Sequence, residues 1–391
     1  MKRLRITLKP LEPYFLGSER TAAFGDYLTQ GAKLNPYYLS SNEMPSQSAL
    51  FGVLRYLGIR NPKSDYDIRE SEEFIGSDSF RLTNAEDERF GKIKGFGKIQ
   101  RISELMLTDE GGNHYVVAPR NGQFDKSKEW KNFVDYVVVR TLHEERWIPR
   151  DYSVKDSKQG QFVCLETGEI LDTSKDGNSV FLKQTRVGIN RQLRDAREDR
   201  KEQSGFFKRE YVILNSRYQF CFYADLEDDA FDPVRGFTAS GHREVMIGQG
   251  RAVFLASWQE AESPNWSKFK KHFPKIQLNG HPESDAVYAY AKSPLFIDLP
   301  VTDLKDRCRL IIVDIMDYRE FATNYGGSGS RDRYRKGRIG LKLLRAGSVM
   351  LFANRQQREE FVRQLKTAET FARGEIAGFN QLYYPDDFEE E

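Results

Sequence analysis

Long apolar runs are missing from this 391-residue chain. The longest, such as residues 137–139 and 310–313, fall far short of the ~20 that a membrane-spanning helix needs. The opening MKRLRITLKP is basic but has no apolar stretch, so it does not read as a signal peptide. Cysteine is scarce. Cys164, Cys221 and Cys308 are scattered and odd in number, which excludes a disulfide framework and a CxxC metal site and points to a reduced, cytoplasmic setting. The five histidines, His114, His143, His242, His272 and His281, show neither H-x-x-x-H nor H-E-x-x-H spacing. No G-G-D-D element is present, and no cofactor or metal is expected. An excess of one charge is lacking too. Sixty Lys and Arg against 58 Asp and Glu leave +2, so affinity for a polyanion must come from local patches.

What is present is a globular composition, 39% hydrophobic and 30% charged, with a heavily charged surface. At ~150 residues per domain, the length implies two or three domains. Residues 3–9 (RLRITLK) alternate charged and apolar, the period of a half-buried strand. Pro13, Gly17 and Gly25 mark the next segment as a structured loop or a bent strand end. Pro45 or Ser46 then opens a helix, with Leu50, Val53, Leu54 and Leu57 along one stripe and a stop at Gly58. Strand, loop and helix in this order read as the start of a ferredoxin-like βαββαβ unit. Residues 99–107 and 114–118 read as a strand pair around a Glu110-Gly111-Gly112-Asn113 turn. Residues 120–180 are polar and read as an insertion or junction rather than core.

Several segments concentrate glycine and positive charge. Residues 91–97 (GKIKGFG) hold Lys92 and Lys94 among glycines, either a hairpin turn or a phosphate-facing loop. Between Arg186 and Arg209 the chain carries Arg186, Arg191, Arg194, Arg197, Arg200, Lys201, Lys208 and Arg209 against four acids, with Phe206 and Phe207 at the far limb. A basic arm with aromatics suits phosphate gripping and base stacking. Along residues 210–224 the alternation puts Tyr211, Ile213, Tyr218, Phe220 and Phe222 in the core. Residues 247–251 (IGQGR), ending in Arg251, form a tight turn or a ligand-facing loop. In residues 331–353, Gly337, Gly340 and Gly347 precede an apolar strand. Arg331, Arg333, Arg335, Lys336, Arg338, Lys342 and Arg345 face only Asp332 there, and a purely structural account of that repulsion is hard to give. Phosphates explain it directly. Residues 354–372 make a helix with Phe361, Val362, Leu365 and Phe371 inward, followed by an acidic end that reads as solvated. Asp225, Asp228, Asp229 and Asp232 read as a solvated acidic loop rather than a metal site.

Four segments in order carry a resemblance. KPLEPYFLGSERTAAFG with MPSQSALFGVLRYLG, TRVGINR before the basic arm, MIGQGRAVF, and GRIGLKLLRAGSVMLF with GFNQ resemble the RAMP superfamily of CRISPR effector proteins. The chain looks most like the type III subunit, in its Cmr (type III-B) version, that holds the 5′ tag of the guide RNA. The resemblance implies an α+β fold of tandem ferredoxin-like (RRM-like) domains with β-hairpin and loop insertions. These would be an N-terminal domain over 1–190, a basic thumb hairpin over 191–209 and a C-terminal domain over 210–391. It implies a non-catalytic protein that contacts RNA through Arg20, Ser46, Gln47, Lys92, Lys94, Arg186, Arg191, Arg194, Phe207, Arg251, Arg333, Arg335, Lys336, Gly337, Arg338, Gly340 and Gly347. Its partners would be the crRNA 5′ tag, the large polymerase/cyclase-type subunit and a neighbouring backbone RAMP subunit, with no membrane. Two other readings stand beside it. One is a metal-independent RAMP endoribonuclease that processes the guide precursor through His242 beside Arg243; the other is a scaffold whose basic loops bind acidic protein surfaces.

Overall fold

In the strand Lys2–Pro10 the alternation holds: Leu4, Ile6 and Leu8 are fully buried and the residues between them are not. In this computed structural model, which describes residues 1–23, 37–58, 96–124, 129–140, 145–150, 162–171, 179–189, 206–230, 238–248, 251–280, 285–297, 304, 307–323 and 334–387, the strand lies between two antiparallel neighbours. Ile6 sits opposite Phe222 of Tyr218–Leu226 on one side and Trp258 of Ala252–Glu260 on the other. The sheet continues outward through Ser240–Ile247 on one side, and on the other through Met106–Asp109, His114–Val117, Phe162–Cys164 and Ile170–Leu171. Ile99–Ile102 also pairs with Tyr218–Leu226, making nine strands. No helix among the described residues is long and apolar enough to cross a membrane.

The helix Gln47–Gly58 covers one face of this sheet. Ser46 caps it, its Oγ accepting from the Ala49 N–H at 3.3 Å, and Leu50, Val53, Leu54 and Leu57 are buried as the stripe predicts. On that face they join Leu4, Ile6, Leu8, Phe220 and Phe222. The opposite face contributes Met106, Val116, Cys221 and Tyr223 to a second core shared with Trp266, Phe269, Tyr288, Tyr290, Val349 and Leu351.

Tyr288, Tyr290, Val349 and Leu351 belong to a second, smaller sheet of Val287–Ala291, Leu310–Ile312, Val349–Phe352 and Leu382–Tyr383. Its strands are apolar on both faces. Tyr288, Tyr290, Val349 and Leu351 meet the first sheet, while Ala289, Ala291, Met350 and Phe352 meet Phe361, Leu365 and Phe371 of the helices Arg355–Thr367 and Glu369–Ile376. The molecule is therefore a strand-rich α+β protein, layered helix, sheet, sheet, helix pair. Both sheets share one wiring. Taken in chain order, Lys2–Pro10, Met106–Asp109, Tyr218–Leu226 and Ala252–Glu260 lie in the spatial order second, third, first, fourth. Val287–Ala291, Leu310–Ile312, Val349–Phe352 and Leu382–Tyr383 do the same. In each case a long antiparallel hairpin comes between the second and third strands: Phe181–Ile189 with Phe206–Leu214, and Ile315–Thr323 with Tyr334–Leu344.

Several expectations are corrected. Alternation places Tyr211 and Ile213 inward, yet Val212 and Leu214 are the buried pair. A turn at Asn215, whose carbonyl accepts from the Tyr218 N–H at 2.9 Å, splits the run into two strands and resets its phase. Residues 120–180 are not merely a junction, since Tyr136, Trp147, Phe162, Val163 and Leu165 enter the core. The helix expected over 354–372 breaks at the extended Ala368, which lets Phe371 turn back into the same core as Phe361. The acidic end is anchored up to Asp387. The buried Arg358 guanidinium donates to Asp386, to Asp387 at 2.9 Å and to the Tyr288 carbonyl at 3.3 Å, and lies over the Tyr384 ring. Nor is the other acidic cluster merely solvated, because Asp225 pairs with Arg3 at 2.8 Å, Asp228 with the N-terminal amine at 2.8 Å and Asp229 with Lys98 at 3.0 Å.

His272 shows how burial sets a pH limit. Its Nε2–H donates to the Gly168 carbonyl at 2.9 Å, and burial, with the nearby Lys271 charge, pushes its pKa down to about 4 from the ordinary 6.5. The folded state therefore holds it neutral while the unfolded chain binds a proton. Its contribution is complete above pH 6.5 and is lost as pH falls toward about 4. Urea midpoints measured across that window should fall more steeply for the wild type than for His272→Asn, and parallel curves would contradict this.

Candidate nucleic-acid interface

The first hairpin joins a four-stranded sheet in the order Phe181–Ile189, Phe206–Leu214, Tyr37–Asn42, Leu16–Ala23. Two backbone bonds of 2.9 Å exchanged by Tyr14 and Val212 fasten it to the central layers. Its register sets Arg186 opposite Arg209 and Gln184 opposite Tyr211, all on one face. Arg186 lies 4.7 Å over the Tyr211 ring and is held by Gln184, whose Oε1 accepts from its Nη2 at 2.9 Å and its Nε at 3.2 Å. Arg209 lies 4.7 Å over the Phe15 ring and donates to the Tyr211 hydroxyl at 3.5 Å; Phe15 and Tyr211 are 6.1 Å apart. Guanidinium and aromatic planes thus alternate across the face. On the other face Lys183 is taken up by Glu43 at 3.6 Å and Glu210 at 3.4 Å.

The IGQGR turn arrives at the same place. Gly248 has φ +80°, and a Cβ on it would stand 2.6 Å from the Phe15 carbonyl oxygen, so only glycine lets the turn rest there. Arg251, exposed and also left-handed at φ +50°, closes that turn beside Phe15 with its N–H on the Gly248 carbonyl at 3.1 Å. The structure therefore sets the turn that Arg251 closes against the backbone of Phe15, whose ring lies under Arg209, and the sequence did not single out Phe15. Arg20 lies in the Leu16–Ala23 strand of this sheet and Phe207 pairs with Gly188. Arg191 and Arg194, in the connection that closes the hairpin, lie outside the described residues, as do Lys92 and Lys94.

The C-terminal glycines change character. Gly337 and Gly340 do not lie in a loop: Arg335, Lys336, Gly337, Arg338 and Gly340 belong to the strand Tyr334–Leu344. Arg319 pairs with Gly340 and Phe321 with Lys336, so the two glycines border a bulge, a place where missing side chains ease the kink. Arg333 lies outside the described residues. Two of the seven cations are neutralised, Lys342 by Asp317 and Arg345 by Asp314 at 3.4 Å. Gly347 is buried at φ +90°, where a Cβ would meet Val117 Cγ1 at 2.8 Å and the Ala118 oxygen at 2.9 Å. It is a buried packing glycine between the sheets.

Ser46 is exposed at the start of its helix, but Gln47 is buried under Gly378, whose Cβ would stand 2.9 Å from Gln47 Oε1 and 2.9 Å from the Ser103 oxygen. The GFNQ segment continues this junction, Gln381 Nε2 donating to the Ile102 carbonyl at 2.6 Å. Gln47 thus joins the two sheets and does not open to solvent. His242 and Arg243 point to opposite faces of their strand; His242 is exposed, while Arg243 stacks 4.8 Å over Tyr56 and donates to its carbonyl at 3.4 Å. Elsewhere a buried His114 links Glu166 at 2.7 Å to the Tyr223 hydroxyl at 2.9 Å. Burial works against the Glu166 charge, yet the His114 hydrogen bonds outweigh it and hold this carboxyl below its usual range. Among the described residues no group of His, Cys, Asp and Glu is placed to hold a metal.

No protein-family model and no curated protein matches the chain, so its geometry and sequence carry the functional argument. Gly347→Ala should lower stability by about 1–3 kcal/mol, because its strain and both close contacts lie in a packed junction. Chemical denaturation measures this, and an unchanged midpoint would refute the packing role.

Proposed function

We propose that this protein is a non-catalytic RNA-binding subunit of a type III CRISPR effector complex, holding the crRNA 5′ tag and docking on the large polymerase/cyclase-type subunit and a neighbouring backbone RAMP subunit. The observation that carries this reading is the repeated wiring. Second, third, first, fourth is the strand order of a ferredoxin-like unit, and it occurs in both sheets. The C-terminal sheet also has the helices Arg355–Thr367 and Glu369–Ile376 where such a unit places its second helix. The N-terminal sheet departs there, with a short 3-10 turn at Asp228–Ala230 and the strand Ser240–Ile247 instead. Both units insert a hairpin at the same point, and two clusters of basic residues in the chain belong to those hairpins. Two basic arms inserted at the same point of two like-wired sheets suit a polyanion that runs past both. A protein whose basic loops only meet acidic partner surfaces gives no reason for aromatic rings under the arginines.

The non-catalytic part rests on His242. Its strand turns Arg243 away, toward Tyr56, so the pair cannot act together on one phosphate.

Arg191→Ala with Arg194→Ala should weaken binding to single-stranded guide RNA and lower the salt slope by roughly one to two phosphates, and Arg335→Ala with Arg338→Ala should do the same. Filter binding at several salt concentrations reads this, and unchanged slopes in both pairs would sink the proposal. Repeat RNA incubated with the protein, with and without Mg²⁺, should stay intact. Cleavage that vanishes in His242→Ala would establish the endoribonuclease instead.

A further inference from the structure

The face formed by Gln184, Arg186, Arg209 and Tyr211 contains an arrangement that stability alone does not favour. Two arginines stand directly opposite each other in an antiparallel pair, where like charges destabilise. Among the described residues no carboxylate pairs with Arg186, although Glu43 and Glu210 neutralise Lys183 on the reverse face of the same strand. An exposed arginine ordinarily samples many rotamers, yet this one is fixed twice. Tyr211 supports the back of its guanidinium at 4.7 Å, and Gln184, which is neutral, holds its edge at 2.9 and 3.2 Å. The result is a flat, oriented, uncompensated cation, with Nη1 making no bond to a described residue and its side chain open to solvent.

We infer that the guanidinium plane of Arg186 is a stacking plate for one unpaired nucleobase of a single-stranded RNA, with its Nη1 directed to the phosphate of the same nucleotide. This rests on the RNA-binding reading and adds to it the contact that a base, rather than a phosphate, makes. Planarity accounts for the tyrosine beneath and charge accounts for the missing carboxylate. An acidic peptide would use the charge but not the plane. Arg209 over Phe15 continues the same face next to Arg186, so the neighbouring nucleotide would continue across it. Every residue of the plate lies in a paired strand, so it is preformed rather than assembled on binding.

The test uses the full chain and single-stranded RNA oligonucleotides in which each nucleotide in turn is made abasic. One position should lose about tenfold in affinity with the wild type, the scale of a lost base–plate stack. Arg186→Lys, which keeps the charge and removes the plane, should lose about as much on intact RNA and nothing further on that abasic RNA, a coupling that a charge contact does not give. Tyr211→Leu should behave alike while the melting temperature stays within a few degrees. If Arg186→Lys binds intact RNA as the wild type does, or if its loss simply adds to the abasic loss at every position, the plate is refuted, while the Arg191/Arg194 and Arg335/Arg338 double variants still report on RNA binding. If the wild type binds no RNA, or if Arg186 supports binding of polyglutamate instead, both this inference and the RNA-binding reading fall.

Discussion

The strand Tyr218–Leu226 is buried on both faces, and every other element takes its position from that fact. Phe220, Phe222 and Ala224 fill the core beneath the helix Gln47–Gly58, while Cys221 and Tyr223 fill the one shared with the second sheet. Each fully buried Phe contributes roughly 1.5–3 kcal/mol, so sliding the strand by one residue would expose both cores at once. The first hairpin enters this strand through a single turn at Asn215. The arginine face at its base is therefore held by the most constrained segment of the molecule, and its aromatic supports need no ligand to be in place.

The shared wiring turns one solution into two. A hairpin set between the second and third strands leaves the sheet order untouched, because the strands re-enter the register they left. The arms can then be long and charged while the cores stay apolar. The two units are locked by other means: the aromatic cluster around Phe269 and Tyr290, and the half-buried Lys292 paired with the buried Glu104 at 2.9 Å, its ammonium 4.3 Å from the Trp266 ring. Each unit thus carries one hairpin arm out from its sheet.

What the sequence made legible was local. Period-two alternation located Lys2–Pro10, the Leu50–Leu57 stripe located the helix, and the Glu110-Gly111-Gly112-Asn113 turn located its strand pair, because each signal lies within a few adjacent residues. The failures needed information from far along the chain. Tyr211 read as core because the turn at Asn215 that shifts its phase is polar but contains no glycine or proline. Gly347 read as ligand-facing because Ala118, the residue that demands it, lies more than two hundred positions away. Asp386 and Asp387 read as a solvated end because Arg358, the buried partner that holds them, lies 28 and 29 positions earlier. Of the candidate face, the sequence singled out the cation Arg186 but not how it is displayed. Phe15 and Gln184, which decide how Arg209 and Arg186 are displayed, carried no signal until the register was known.

The central claim is that RNA lies across both hairpins. Photocrosslinking tests it most directly: single-stranded guide RNA carrying 4-thiouridine along its length, irradiated in complex with the full chain, with the attached peptides mapped by mass spectrometry. Adducts should fall on peptides from residues 181–214 and from residues 315–344, ordered along the RNA. Adducts confined to the helices Arg355–Thr367 and Glu369–Ile376, with neither hairpin labelled, would contradict the account.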